Sequence, residues 1–303
     1  MAFKYVALAG ATGSLGSVLL NALVSNGNFQ ITVLRRNDNN ALPVGVKSQV
    51  VDFDSSNALI TAMKGQDVLI DATSTLDARL SIRLMEAAAA AGVKRIIASE
   101  FSADPTNVKT RSLPVFKGKA EAHEHLKALA ADGRITYTAI SNNAFLDWKL
   151  RIGLMNIDLA NKKVNLMNDG NVKFYWTLLS SVADAVINSL LRSEETKNRI
   201  CYIFNTYKSQ AEMADLAKEA LGHEGWQITQ TDTEKAFLEA SKNWDAGNIS
   251  FQVIGDMIRY ANSTPEYSPK LKTDHNELLG VQELTDFDIR QLMKEIAGEL
   301  RKA

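Results

Sequence analysis

The sequence predicts an α/β fold built on a doubly wound parallel sheet. In the first half of the chain, short β-branched runs alternate with helical patterns, which is typical of parallel strands joined by crossover helices. The connections between them are short and carry turn-forming residues. With 303 residues, 46% of them hydrophobic, the chain can bury a large core. We therefore expect one large domain, or two that share a boundary.

Six strands and four helices are predicted in this half. The strands are Tyr5–Ala9, Ile31–Leu34, Ser48–Val51, Val68–Ala72, Arg95–Ala98 and Thr136–Ile140. The helices are one that ends at Asn26-Gly27, followed by Ser56–Met63, Leu76–Ala91 and Lys117–Ala131. Glycine after a helix favours the left-handed conformation that ends it, and Gly27, Gly92 and Gly133 hold such positions.

The second half predicts a mixture of shorter elements. They are a helix over Trp148–Leu159, a hairpin around Asn168-Asp169-Gly170, a helix over Ser181–Leu191, a strand over Arg199–Phe204, a helix over Gln210–Leu221 and a last helix capped by Thr285-Asp286-Phe287-Asp288. The strand over Arg199–Phe204 and the helix over Gln210–Leu221 that follows it, near 181–222, are interpreted as one more β-α unit that returns to the sheet. The second half is therefore expected to be interleaved with the first.

Charge and composition exclude several classes of protein. The 34 basic and 35 acidic residues leave a formal charge of −1, which favours neither nucleic acid nor a membrane surface as a partner. The lone Cys201 cannot form an internal disulfide, and no residue spacing suggests a metal site. Neither a signal peptide at Met1–Tyr5 nor a membrane span is predicted. We expect a cytoplasmic protein, either a monomer or a homodimer.

A glycine-rich loop joins the first strand to the first helix. Its residues are Gly10, Ala11, Thr12, Gly13, Ser14, Leu15 and Gly16. Glycines at this point permit a tight turn, and the helix N-terminus attracts the pyrophosphate of a dinucleotide. The alternative is a turn that uses glycine for structural reasons alone. The flanking strand and helix favour nucleotide binding, with residues 1–150 as a Rossmann-type NAD(P)-binding domain and 151–303 as mainly a substrate-binding region.

The end of the second strand indicates which dinucleotide is bound. NAD-binding proteins place a carboxylate there for the ribose hydroxyls, whereas this chain has Arg35 and Arg36. A guanidinium can hold the 2′-phosphate of NADP(H) with paired donors, and Lys47 is a possible second contact. The alternative is a pair of solvated arginines at a strand end.

Four further residues complete the expected cofactor contacts. Asp52 follows the third strand, where it is suited to accept from the adenine amino group while Phe53 packs on the adenine face. Equally, Asp52 could begin the next helix. Thr73 and Asn143 are also expected to contact the cofactor.

The sequence lacks the usual dyad of short-chain dehydrogenases, since no tyrosine has a lysine four positions later. It resembles instead the atypical members of that superfamily, the isoflavone reductases and phenylcoumaran benzylic ether reductases, with the NmrA-like proteins beside them. The matching segments are Gly10 to Gly16, Leu34-Arg35-Arg36, Ser99-Glu100-Phe101, Phe116-Lys117-Gly118-Lys119-Ala120, Ile135-Thr136-Tyr137-Thr138 and Asn143-Ala144-Phe145. They span about the first 150 residues.

This resemblance implies that Lys119 is the catalytic general acid and base. An ammonium near a helix start, shielded from water beside a nicotinamide, loses solvation and has a lowered pKa. The alternative is an ordinary surface lysine. The sequence departs from the family at Ser102, where glycine is usual, and at His123, where an arginine is common.

Aromatic residues are candidates for a substrate pocket. His123 is placed to reach a phosphate or the substrate, and Phe101, Phe145, Trp148 and Trp176 are candidates for lining the pocket, as are Met155, Phe174 and Tyr175. Ordinary core packing explains many of these aromatic residues equally well.

Together these features predict an NADPH-dependent reductase of a small aromatic or conjugated metabolite, with an enone, quinone methide or benzylic ether as the reacting group. The alternative is an NmrA-like regulator that senses the dinucleotide without turnover.

Overall fold

A seven-stranded parallel sheet forms the centre of the protein. The computed structural model describes residues 3–74 and 76–302, so Met1 and Ala2, which entered the sequence predictions, lie outside it. The sheet strands are β1 (Tyr5–Ala9), β2 (Gln30–Arg35), β3 (Lys47–Val50), β4 (Val68–Asp71), β5 (Arg95–Ser102) and β6 (Thr136–Ser141). The seventh, β11 (Arg199–Tyr202), pairs in parallel with β6. The strand order is β11-β6-β5-β4-β1-β2-β3, and the predicted doubly wound α/β fold is confirmed.

Helices cover both faces of this sheet and bury two separate cores. The helices of this part are α1 (Ser14–Asn26), α2 (Ser56–Met63), α3 (Ala78–Ala90), α4 (Val108–Ser112), α5 (Pro114–Ala131), α6 (Leu146–Arg151) and α7 (Leu179–Leu191). One core joins α1 and α7 to the sheet, and the other joins α2, α3 and α5 to its opposite face. The apolar β-strands therefore contribute to both faces, as parallel sheets require.

Two small three-stranded sheets and the remaining helices form the rest of the structure, beside the carboxyl edge of the main sheet. The strands are β7 (Ala144–Phe145), β8 (Ile157–Asp158), β9 (Lys163–Met167), β10 (Lys173–Thr177), β12 (Thr206–Ser209) and β13 (Gln227–Thr231). The helices are α8 (Gln210–Leu221), α9 (Thr233–Asp245), α10 (Phe251–Ser263), α11 (Asn276–Leu279) and α12 (Asp286–Leu300), with a 3₁₀ turn at Pro265–Tyr267. The predicted cap of α12 is confirmed, because Thr285 and Asp288 form a reciprocal capping box.

Several predictions for the second half were wrong. The helix expected over Trp148–Leu159 ends at Arg151, since Gly153 adopts a positive φ of 64° and Ile157 begins a strand. The turn at Asn168-Asp169-Gly170 exists, but β9 and β10 on its two sides belong to different sheets, so it closes no hairpin. Helix α8 has its predicted bounds, yet it packs on α12 and the small sheets. The unit that returns to the large sheet is therefore α7 followed by β11.

The helix that carries the candidate catalytic lysine also begins earlier than expected. Pro114 occupies its first turn, where proline is favoured because no hydrogen bond is lost. Lys119 therefore lies in the second turn of α5 rather than at the start, and the helix dipole contributes little to its electrostatics. Among residues 3–74 and 76–302, no helix is long and apolar enough to cross a membrane, and no group of metal-binding side chains occurs.

Candidate active site

A cleft runs along the carboxyl edge of the sheet, where open α/β sheets bind ligands. It consists of an outer cavity of about 880 Å³, from the glycine loop to Arg36, and an inner cavity of about 440 Å³ that contains Lys119. The two share the residues Gly13, Ala72, Thr73, Ser74 and Leu76. A single elongated ligand can therefore pass from one cavity to the other beside the first turn of α1.

The glycine loop leaves the N-terminus of α1 open towards this junction. Gly13 is the N-cap residue, and no side chain of residues 3–74 and 76–302 caps the helix, so its first amide groups have no side-chain partner among them. Gly10 has a φ of 85°, and a Cβ at Gly16 would lie 2.0 Å from the carbonyl oxygen of Gly10. Thr12 lines the outer cavity, and Ser14 and Leu15 line the inner one. This backbone arrangement fits a pyrophosphate.

The two arginines after β2 have different surroundings. The guanidinium of Arg35 donates to Ser48 Oγ at 2.7 Å and to the Asn40 carbonyl at 2.5 Å, and it pairs with Asp38. Arg36 is exposed, and its guanidinium carbon lies 6.0 Å from the centre of the Phe53 ring. Both arginines and Phe53 line the outer cavity. Arg36 is therefore the better placed of the two to bind a 2′-phosphate.

The structure does not bring two predicted contacts to the outer cavity. Lys47 lies at the amino end of β3, opposite Thr32, and is not among the cavity residues. Asp52 lines a neighbouring surface pocket with Arg36 and Phe53 and accepts a hydrogen bond from the Asp54 amide at 2.9 Å. It does not begin the helix, because Ser55 is the N-cap of α2.

Lys119 projects from α5 to the end of β5. Its ammonium donates to the Ser99 carbonyl oxygen at 2.5 Å and lines the inner cavity beside Phe116. Burial lowers the pKa of Lys119 to about 8; Glu100 and Asp71 oppose this shift, and Arg111 adds to it. A lysine with such a pKa can donate and accept a proton near neutral pH.

Behind Lys119 lies a buried polar cluster of Glu100, Arg111 and His123. Arg111 donates to Glu100 Oε2 at 2.6 Å, and His123 Nδ1 lies 3.0 Å from Glu100 Oε1. Burial raises the pKa of Glu100, but His123, Arg111 and Lys119 outweigh it, so the pKa is lowered. His123 was expected to reach the ligand. It is instead buried among Met85, Leu126 and Glu100, outside the inner cavity, because its face of α5 packs on α3.

A second polar group supports the floor of the cleft at the end of β4. Asp71 is fully buried and accepts hydrogen bonds from Ser81 Oγ at 2.6 Å and from the amide and hydroxyl of Thr73 at 3.0 and 2.6 Å. Burial raises the pKa of Asp71. Ser99 Oγ in turn donates to the Thr73 carbonyl at 2.6 Å. These bonds hold Thr73, a predicted cofactor contact, at the junction of the two cavities.

The candidate substrate residues divide into two groups. Phe101, Phe145 and Trp148 line the inner cavity, as does Asn143, a predicted cofactor contact with a φ of 55°. Trp176 does not, because it is fully buried, stacks on Phe174 and donates to the Lys208 carbonyl at 3.0 Å. The core-packing alternative is correct for Trp176, Phe174 and Met155.

Sequence reasoning missed the far side of the inner cavity. Helix α10 supplies Phe251, Ile254, Ile258, Ala261 and Asn262, and α6 supplies Lys149. The apolar residues recur at helical spacing, which indicates an amphipathic helix. Nothing local in the sequence connects that helix to Lys119, about 135 positions earlier along the chain, because only tertiary packing joins them.

Comparison with known proteins gives consistent results. Residues 10–192 match the sequence profile of an NAD(P)H-binding family. The chain is 29% identical to the oxidoreductase aprR of Aspergillus flavus over 283 residues, which cover 91% of this chain and 94% of that protein. The resemblance to reductases is thereby confirmed, and so is the expectation of an oxidoreductase that binds NAD(P)H.

Solved structures share the fold over nearly the whole chain. A crystal structure of isoflavone reductase has a TM-score of 0.76 at 21% identity, covering 97% of this chain and 99% of that one. The leucoanthocyanidin reductase–NADPH complex from Vitis vinifera has a TM-score of 0.77 at 15% identity, covering 97% and 100%. The fold is therefore the one found in isoflavone reductase-like proteins.

Proposed function

We propose that this protein, which belongs to the NAD(P)H-binding family, is an NADPH-dependent reductase of a small aromatic or conjugated metabolite. The observation that carries the proposal is the place of Lys119. Its partly desolvated ammonium lines the same cavity as Gly13 and Ser14 at the open N-terminus of α1. A proton donor and a dinucleotide site thus meet at one edge of the sheet.

Residues of the outer cavity are suited to hold NADPH. Where the outer cavity meets the inner one, the first amide groups of α1, at Ser14 and Leu15, would bind the pyrophosphate. Arg36 would bind the 2′-phosphate beside an adenine packed on Phe53. When bound, the nicotinamide supplies a hydride to the substrate. The shared residues Thr73 and Ser74 then lie where the cofactor passes into the inner cavity.

Lys119 would complete the reduction. As an electrophilic carbon such as the β-carbon of an enone accepts the hydride, negative charge develops on the conjugated oxygen. The protonated Lys119 stabilises this charge and gives its proton to the oxyanion. The Ser99 carbonyl, 2.5 Å away, fixes the ammonium, and Glu100 keeps a compensating negative charge behind it.

The inner cavity favours an apolar and planar substrate. Phe101, Phe145 and Trp148 line it together with Ile254 and Ile258 of α10. Such a lining removes water from the reacting carbon and strengthens the interaction with Lys119. A molecule of this kind, with an enone, a quinone methide or a benzylic ether, is the proposed substrate class.

A sensor of the cofactor alone is less well supported. The inner cavity extends well beyond the glycine loop to residues of α6 and α10, which offers a place for a second molecule. A sensor also has no need of a lysine whose pKa is lowered to about 8.

Replacement of Lys119 tests the proposal. We expect Lys119→Ala to lower turnover by roughly 10²–10⁴ with NADPH affinity nearly unchanged, because a positioned proton donor is lost. Lys119→Arg should restore little, since a guanidinium does not release its proton. The exposed Lys117 on the same helix provides the control, and Lys117→Ala should retain wild-type turnover.

The pH dependence gives a second measurement. Since the donor must be protonated, turnover should be constant at low pH and fall as pH rises through about 8, the pKa of Lys119. NADPH oxidation would be followed with a panel of enones, quinone methides and benzylic ethers. Full activity of Lys119→Ala would disprove the catalytic role, and no turnover of any compound by the wild-type protein would favour the sensor.

A further inference from the structure

The inner cavity contains a second lysine, Lys149, to which the proposed reaction assigns no role. It lies on α6, directly after Trp148, and only 6% of its surface is exposed. It lines the inner cavity together with Leu154 and apolar side chains of α10. A lysine is rarely buried to this extent unless a negative charge accompanies it.

No such charge is present around Lys149 in the described part of the chain. Its ammonium forms neither an ion pair nor a side-chain hydrogen bond with any of residues 3–74 and 76–302. The nearest influential charge is Arg259, which repels it and is itself paired with Asp256 at 2.7 Å. Asp147 and Arg151, its neighbours on α6, pair with each other, and Arg151 also pairs with Glu299 of α12.

The charged side chains that line the inner cavity are all basic. They include two cations, Lys119 and Lys149, and no aspartate or glutamate among the described residues. Lys119 has the Ser99 carbonyl and nearby Glu100, whereas Lys149 has neither. Burial and the repulsion by Arg259 lower the pKa of Lys149 to about 7. An anion placed beside it would relieve both costs by pairing with the ammonium.

We propose that Lys149 binds a carboxylate of the substrate, so that the substrate is an aromatic or conjugated carboxylic acid. The inference rests on the proposed reductase function for the identity of the ligand as substrate. The carboxylate would lie against α6, and the conjugated carbons would extend between Trp148 and α10 towards Lys119. The phosphates of the cofactor have their own site at the N-terminus of α1, which leaves Lys149 to the second molecule.

Binding measurements without turnover test this proposal. The protein is saturated with NADP⁺ and titrated with benzoate, cinnamate and 4-hydroxycinnamate, each compared with its uncharged amide. We expect at least one acid to bind about tenfold or more tightly than its amide, because a desolvated charge-assisted contact is formed. In Lys149→Met the preference should disappear, whereas it should persist in Lys163→Met, which replaces an exposed lysine of β9.

Proton uptake supplies an independent measurement. At pH 8, above the pKa of about 7, binding of the acid should take up close to one proton, since the carboxylate raises the pKa of Lys149. Calorimetry in buffers of different ionisation enthalpy would detect this proton, and Lys149→Met should abolish it. The NADPH affinity of the variant should equal that of the wild type, and its melting temperature should be no lower, because an unpaired buried charge is removed.

Two results would overturn the proposal: no acid of the series binds more tightly than its amide, or the preference survives in Lys149→Met. Weaker NADPH binding by Lys149→Met would also overturn it, because the lysine would then serve the cofactor. These outcomes do not decide the reductase proposal, which is tested by NADPH oxidation and by replacement of Lys119. If the protein prefers the acids but oxidises no NADPH, the anion site is supported and the reductase proposal is contradicted.

Discussion

The outer and inner cavities of the cleft are built in different ways. The outer cavity is formed mainly by the connections after β1, β2 and β4, where the backbone of the glycine loop is exposed to a ligand. The inner cavity combines the ends of β5 and β6 with side chains of α6 and α10, which come from distant parts of the chain. Local turns therefore form the outer cavity, whereas packing between distant segments forms the inner cavity.

This difference separates what is fixed from what can vary. Glycines such as Gly16 leave no room for any side chain, so the outer cavity tolerates little change. The helix α10 contacts the main sheet domain chiefly through Leu113, Val115 and Phe116 near the start of α5. Its cavity-facing residues can therefore change with little effect on the sheet. Substitutions in the two cavities should differ accordingly.

Among substitutions that compare the two cavities, the largest effect is expected for Gly16→Ala. The new Cβ would lie 2.0 Å from the Gly10 carbonyl oxygen, so the loop and the N-terminus of α1 must move. Displacement of the phosphate site by about 1 Å should lower turnover by roughly 10²-fold or more. Gly298→Ala on α12 is the control, because its Cβ would meet no atom within 4 Å. Wild-type NADPH binding and turnover by Gly16→Ala would show that the outer cavity is not rigid.

A smaller effect on the same side is expected for Arg36→Ala. Loss of a charge-assisted contact to the 2′-phosphate should weaken NADPH binding by roughly 1.5–3 kcal/mol and leave NADH binding nearly unchanged. Arg35→Ala should alter the preference for NADPH over NADH less, because the Arg35 guanidinium is already bound to Ser48, Asn40 and Asp38. Fluorescence titration with both cofactors measures the two affinities. Equal affinities of the wild-type protein for NADH and NADPH would remove the basis of this assignment.

The smallest effect is expected on the inner side, for Ile258→Ala. Removal of apolar contact area should weaken substrate binding by about 1–2 kcal/mol, seen as a higher KM. Because α10 is remote from the outer cavity, the Kd for NADPH should not change. Leu238→Ala on α9 replaces an exposed apolar side chain and serves as the control. A change in NADPH affinity equal to the change in KM would show that the two cavities are energetically coupled.

The sequence predicted the local features of the outer cavity well and the packing of the inner cavity poorly. The bounds of β1 and α2 agree with the prediction, because each has a clear apolar pattern and turn signals beside it. Strand β13 was not predicted, since four of its five residues are exposed and it pairs with β9 at the edge of its sheet. Such a strand has no alternating pattern to read.

Residues whose role depends on distant contacts were the hardest to place. The motif around Lys119 was recognised, but His123 one turn later was assigned to the ligand, because the sequence does not show which face of α5 packs on α3. Lys149 gave no signal at all, since a lysine in a short helix is most often solvated. Its burial follows from the placement of α6, α10 and Leu154 around one cavity, which only the folded chain establishes.

The junction at Gly13, Thr73 and Ser74 has a kinetic consequence. A cofactor that extends from Arg36 to Lys119 must pass this junction, and its nicotinamide end would then form one side of the inner cavity. The substrate can find its complete surroundings only after the cofactor has entered. We therefore expect an ordered sequence in which NADPH binds first, the reduced product leaves before NADP⁺, and the lifetime of the oxidised cofactor on the protein limits how soon the next cycle begins.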